Sequence, residues 1–243
     1  MPRCWPALLA IALVLSAPSP ASAQGPDTLI FGTTHEVDSI IYAYATEYLQ
    51  HLCAEVRQRC LLQSLPGRRS SAMLADGSIA GEMGRVIEYG QKNPAYRRVE
   101  EPFVTSRSYV FTRAGQPDIN SWEELERKAR TVSYKRGIFI YQRRLEALRP
   151  QLQPHDVQSV PACLQMVLNG RDEACLFDDG SLSEASKALL PQGRTGRQLD
   201  EFNLYIYLGR DHGALAQALT DAGRRLAAQG LKARLHRKYF ISP

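Results

Sequence analysis

Short apolar runs alternate along most of this chain with longer stretches whose apolar residues recur at helical spacing. That alternation limits the fold to α/β architecture, in which helices pack on the faces of a largely parallel sheet. Residues 28–33 read as a first buried strand. In the helix that follows, Ile41, Tyr44, Tyr48, Leu52 and Val56 form one face, and Asp38 is placed to cap it. A second strand, 60–65, stops at Pro66-Gly67. A short helix over 69–75 then leads to a third strand over 79–83. Two extended stretches, 99–104 and 108–113, read as a crossing to a second unit.

The second unit repeats the pattern. Ser121 and Glu124 form a capping box at the start of a helix, and 131–134 reads as a strand ending at Gly137. A helix runs on to about Leu148, and 157–160 reads as the next strand. Pro161 opens a helix through Leu168, 174–177 is a buried strand, and 182–190 a helix. An extended run at 202–208 can return to the first unit, and two amphipathic helices, 213–228 and 231–239, finish the chain. No long linker separates the units, so strands are expected to join them.

The first residues set the compartment. Residues 7–17 are apolar, Pro18 and Pro20 break the run, and Ala21-Ser22-Ala23 supplies a small-residue cleavage site. This is the pattern of a cleavable export signal over residues 1–23, cut before Gln24. The apolar run is too short to span a membrane, and Cys4 precedes it, so no lipid-anchor cysteine stands at the cut. Removing 23 of the 243 residues leaves 220, enough for two lobes with cores of their own. The formal charge falls from +5 to +4, because only Arg3 is lost. Export and the absence of any recognised motif argue against a nucleic-acid partner.

Four cysteines remain in the exported chain: Cys53, Cys60, Cys163 and Cys175. An oxidising compartment favours disulfides, with three pairings open. Local pairing, Cys53 with Cys60 and Cys163 with Cys175, is preferred because each pair spans one helix-to-strand connection. The spacings match no zinc pattern, and neither metal nor cofactor is expected.

Four segments in order resemble the bacterial extracellular solute-binding proteins of the amino-acid-binding type, which serve ABC transporters. They are residues 74–81, with Ala80 where an acidic residue is usual, 119–125, 169–178 and 230–240. Pro66-Gly67-Arg68-Arg69-Ser70 followed by Gly81-Glu82-Met83-Gly84-Arg85 resembles a narrower subgroup with a P-x-x-R-S … G-E-x-x-R pattern. The resemblance implies a two-lobed type II periplasmic binding fold, each lobe a mixed sheet flanked by helices. Residues 24–108 and 202–243 would form lobe 1, residues 109–201 lobe 2, and two strands the hinge between them. It further implies a periplasmic monomer, not membrane-embedded, that passes a small ligand to a transporter permease or reports it to a membrane sensor.

The residues name a site. An α-carboxylate calls for a guanidinium fork and backbone N–H groups, and an α-ammonium for a carboxylate on the opposite wall. Arg85, just past the third strand, is the leading carboxylate anchor, with Arg69 and Ser70 on the preceding helix as supports. Asp178 ends the buried strand of the second lobe, at the carboxyl edge where α/β ligands collect, and lines up with the family's ammonium acceptor. Gly137 precedes a helix whose amides can meet an anion, although Ile138 and Phe139 stand where the family has Ser or Thr. Glu82 can meet a cationic group or pair with Arg85. Tyr109, with Tyr42 and Tyr141, could stack on a ligand. An enzyme on the same scaffold would need a proton-transfer pair, for which His35-Glu36 with Asp178 is the candidate. No nucleophile triad, nucleotide loop or HExxH pattern accompanies them, so a binding protein rather than an enzyme is expected.

Overall fold

The computed structural model describes Met1 and residues 28–240; apart from its first residue, the export signal expected over 1–23 lies outside the described residues. The first lobe opens with β1 (Leu29–Thr33), α1 (Ile40–Glu55), β2 (Cys60–Ser64), α2 (Gly67–Ala75) and β3 (Gly81–Arg85). Ser39 rather than Asp38 caps α1, its side chain accepting from the Tyr42 amide. The third strand starts at Gly81, two residues later than expected. Next come α3 (Ile87–Lys92) and the short β4 (Arg97–Arg98), neither of which carries an apolar period.

One long strand, β5 (Val104–Arg113), replaces the expected second stretch and part of the first. It leads to α4 (Trp122–Lys128), β6 (Thr131–Lys135), α5 (Phe139–Ala147), β7 (Gln153–Val157), α6 (Val160–Leu168) and β8 (Ala174–Asp178). The strand expected at 157–160 therefore lies four residues earlier, and Ser159 caps α6. A 3-10 turn at Asp179–Ser181, α7 (Glu184–Leu189) and β9 (Gly193–Thr195) precede β10 (Asp200–Leu208), α8 (Gly213–Ala228) and α9 (Leu231–Tyr239).

The strand order is β2-β1-β3-β10-β5-β8-β6-β7. β1 runs parallel to β2 and β3, and β6 runs parallel to β7 and β8. Two strands are shared between these groups. β10 pairs its first half, Asp200 to Leu204, with β5, and its second half, Tyr205 to Leu208, with β3. β5 pairs its own far half with β8, also antiparallel. The fold therefore has two lobes joined by two antiparallel strands.

Each lobe buries its own core. In the first, Phe31, Tyr44, Tyr48, Phe103 and Leu219 join α1 and the returning α8 and α9 to the sheet. In the second, Val132, Tyr141 and Leu176 pack on one face, and Phe111, Leu164 and Phe177 on the other. Disulfides join Cys53 to Cys60 and Cys163 to Cys175, each tying a helix to a strand of its own lobe. Among the described residues no helix is long and apolar enough to cross a membrane, and no cluster of side chains is suited to a metal ion.

Candidate functional site

The carboxyl ends of β1, β3, β6 and β8 face one another across the gap between the lobes, which is lined by Thr34 just past β1 and by Arg85, Lys135 and Asp178, the last residues of the other three. An inner cavity of about 40 Å³ lies among Thr34, His35 and Arg85 of the first lobe and Gly137, Ile138 and Asp178 of the second. Val86, Phe139, Ile140, Phe202 and Leu204 complete its apolar walls. It adjoins an outer cleft of about 1150 Å³ that also draws on Arg68 and Ser71 from α2 and on Glu36, Lys135, Arg136 and Asp156.

Arg85 and Asp178 thus stand on opposite lobes and line one cavity. Arg85 is not a free cation. Its Nη2 lies 2.6 Å from Oε1 of Glu82, and its Nε donates to Oε2 at 3.2 Å. The Glu82 side chain has no solvent exposure, and it also accepts from the Tyr89 hydroxyl and Ser71. Burial opposes charge on Glu82, but the adjacent guanidinium and the hydrogen bonds outweigh it and hold the carboxyl below its ordinary range. Glu82 therefore pairs with Arg85 and locks one edge of the fork. Arg85 also lies over the Tyr89 ring, 4.9 Å from its centroid.

Asp178 has a structural duty too. Its Oδ1 accepts from the Ser181 amide at 2.9 Å and Ser106 Oγ at 3.1 Å, and its Oδ2 from Ser181 Oγ at 2.8 Å. It caps the 3-10 turn while lining the cavity. Burial, reinforced by the nearby Asp179, raises its pKa despite these bonds and Lys135. A ligand ammonium placed there would favour the charged form.

His35 is buried, and its Nε2 has no hydrogen-bond partner. Desolvation, aided by Lys135 and Arg85, pushes its pKa down to about 3, so the imidazole is neutral. It packs against Gly84, at φ 94°, where a Cβ would come within 2.7 Å of Nε2; only glycine suits that backbone and that contact.

Gly137, at φ 89°, turns the chain into α5, whose first residue is Phe139 and whose N-cap, Ile138, offers no side-chain acceptor. The opening amides of α5 are therefore available at the cavity, where residues 137–140 line the wall.

Other expected residues lie elsewhere. Arg69 is exposed and Ser70 is buried against Gly32, and neither lines the inner cavity or the outer cleft. Their neighbours Arg68 and Ser71, three apart on α2, face the cleft instead. Tyr109 stacks on Phe177, Tyr141 donates to Ser108 Oγ, and Tyr42 donates to the Leu62 carbonyl, so all three serve packing. The cleft tyrosine is Tyr89, on the helix that carries no apolar period. Lys135, last residue of β6, is a further site residue absent from the sequence expectation. Its Nζ lies 3.3 Å from Oε1 of Glu36 and 3.5 Å from the Thr34 carbonyl, joining the lobes. A charged residue ending a buried strand was the available signal.

No protein-family model matches the chain. An uncharacterized protein of Shewanella oneidensis is 27% identical over 221 residues, 88% of this chain and 84% of that one. The substrate-binding protein of an amino acid ABC transporter superposes with a TM-score of 0.69 at 13% identity, over 88% of this chain and 100% of the other. An ancestral amino-acid-binding protein, a precursor of cyclohexadienyl dehydratase, gives 0.68 at 16% identity, over 88% and 95%. These likenesses establish the fold as that of type II periplasmic binding proteins.

Proposed function

We propose that this chain is a periplasmic solute-binding protein that traps a small polar, amino-acid-like ligand between its lobes and delivers it to an ABC transporter. The observation that carries this reading is the placement of Arg85 and Asp178 on opposite lobes around a single cavity. A carboxylate would lie against Arg85 and the opening amides of α5, and an ammonium against Asp178. Residues 24–108 and 202–243 would move as lobe 1, residues 109–201 as lobe 2, and β5 and β10 would bend as the hinge. Likeness to the binding component of an amino acid transporter supports the role, and the export signal supports the compartment.

A catalytic reading on the same scaffold would fall to His35, because Glu36 is committed to Lys135. Likeness to a dehydratase precursor favours it as the second reading. Turnover of small hydroxy acids, lost in His35→Ala, would establish it.

The leading reading is tested by thermal unfolding against a panel of amino acids, amines and small acids. A ligand held only by the folded cleft raises the melting temperature, and about 100-fold excess over Kd stabilises by about 2.7 kcal/mol. Arg85→Lys keeps a charge for buried Glu82 but loses the planar fork. It and Asp178→Asn should remove the ligand-induced rise while the free proteins stay folded. An undiminished rise in both variants would take the site away from these residues.

A further inference from the structure

We infer that Phe139 is the size gate of this cleft, and that the site takes α-substituted monocarboxylates of two to four carbons. The inference rests on the solute-binding reading and narrows its ligand. Phe139 belongs to the second lobe, as the first residue of α5. Its ring nevertheless packs against the core cluster of the first lobe. Lys92 of α3 holds it from that side, with Nζ 4.6 Å from the ring centroid. The ring thus bridges the gap in which a ligand would lie. Thr34, Arg85, Tyr89, Gly137 and Phe139 line both the inner cavity and the outer cleft, which makes them the neck between the two.

The space behind the neck is small. The inner cavity measures about 40 Å³. Sites for drug-sized ligands run to roughly 300–1,000 Å³, so this space suits a ligand far smaller than those. The wall chemistry agrees. Arg85 and the α5 amides provide donors for a carboxylate, and Asp178 provides an acceptor for an α-ammonium or α-hydroxyl. Beyond these, Val86, Ile138, Ile140, Phe202 and Leu204 make most of the remaining wall. With Asp178 taken by the α-substituent, the amide or guanidinium of a longer side chain would be buried against that wall short of hydrogen bonds, which costs affinity.

The test is titration calorimetry on the full exported chain with glycine, alanine, glycolate and lactate, and with glutamine and arginine as long probes. The wild type should bind at least one short acid ten-fold or more tighter than either long probe. Phe139→Ser should shrink that ratio at least ten-fold, and Phe139→Tyr, which keeps the ring, should preserve it. Wild-type binding of glutamine or arginine as tight as that of the short acids would overturn the gate and leave solute binding standing. So would a ratio unchanged in Phe139→Ser. If Phe139→Ser does not fold, the wild-type ratio alone decides. Failure of every probe to bind would overturn the gate and the solute-binding reading together.

Discussion

His35 shows how far single residues here depart from their behaviour in water. Burial first, then the charges of Lys135 and Arg85, push its pKa down to about 3, against 6.5 unperturbed. Between those values the unfolded chain binds a proton that the folded chain refuses, so the contribution is whole above about pH 6.5 and is lost progressively as pH falls toward 3. At about 1.4 kcal/mol per pKa unit, some 2 kcal/mol should be gone by pH 5. Urea unfolding of His35→Gln should show an acid loss between pH 7.5 and 5 smaller by about that amount. Asp178 acts in the opposite sense, since its raised pKa lets the folded state take up a proton first, and it is common to both proteins. Equal losses in wild type and variant would mean that the imidazole titrates normally. Much of this site is legible in the chain, because Arg85 and Asp178 both stand where a strand ends and Gly137 where a helix begins. Lys135 obeys the same rule, but reading the strand to Tyr134 leaves it out by one residue. Arg69 and Ser70 fail for want of phase: α2 has no continuous apolar stripe to say which side is buried, and Arg68 and Ser71 take the cleft face.

At the scale of elements, the disulfides do for each lobe what a larger core would otherwise have to do. Cys53 and Cys60 are seven residues apart and Cys163 and Cys175 twelve. Loop-closure entropy assigns such bridges about 2.5 and about 3 kcal/mol. The bridges lie in separate cores, so Cys→Ser pairs should cost roughly these amounts in urea unfolding, and the losses should add when both are removed. A loss under about 0.5 kcal/mol for either pair would show that the reduced lobe is already held by its packing. Elements are legible in proportion to their burial. β8, buried at all five residues, reads plainly as a strand. β7 is an edge strand with the sequence Gln-Pro-His-Asp-Val, mostly exposed, and it offers no apolar run to find. β5 reads as two pieces because the polar run Thr105-Ser106-Arg107 separates them, and the second piece itself opens on a serine, Ser108. The two serines are buried, and Ser106 donates to Asp178 while Ser108 accepts from Tyr141, so polarity inside that strand is satisfied by partners no local pattern announces.

For the whole molecule, the decisive contacts are those that connect the lobes away from the hinge strands. Lys135 is the clearest. Its side chain is 7% exposed, it reaches Glu36 and the Thr34 carbonyl on the other lobe, and it lines the outer cleft rather than the inner cavity. Glu36 is 31% exposed, so loss of the lysine leaves it able to reach water, and the fold should survive. Such a pair lies between the exposed and buried limits, which suggests a coupling of about 1–2 kcal/mol. Because Lys135 and Glu36 face each other only when the lobes are near, that energy weights the population of closed molecules. Apparent affinity scales with the competent fraction. Lys135→Met and Glu36→Gln should therefore each weaken ligand binding up to about ten-fold, although neither residue lines the inner cavity. The double variant should be no weaker than the worse single one, giving a non-additive cycle. Small-angle scattering separates closure from contact. The variants should have a larger radius of gyration than wild type without ligand and the same radius at saturation. Strictly additive losses with unchanged dimensions would mean that the two side chains act independently, and closure would then rest on Phe139 and the cavity residues.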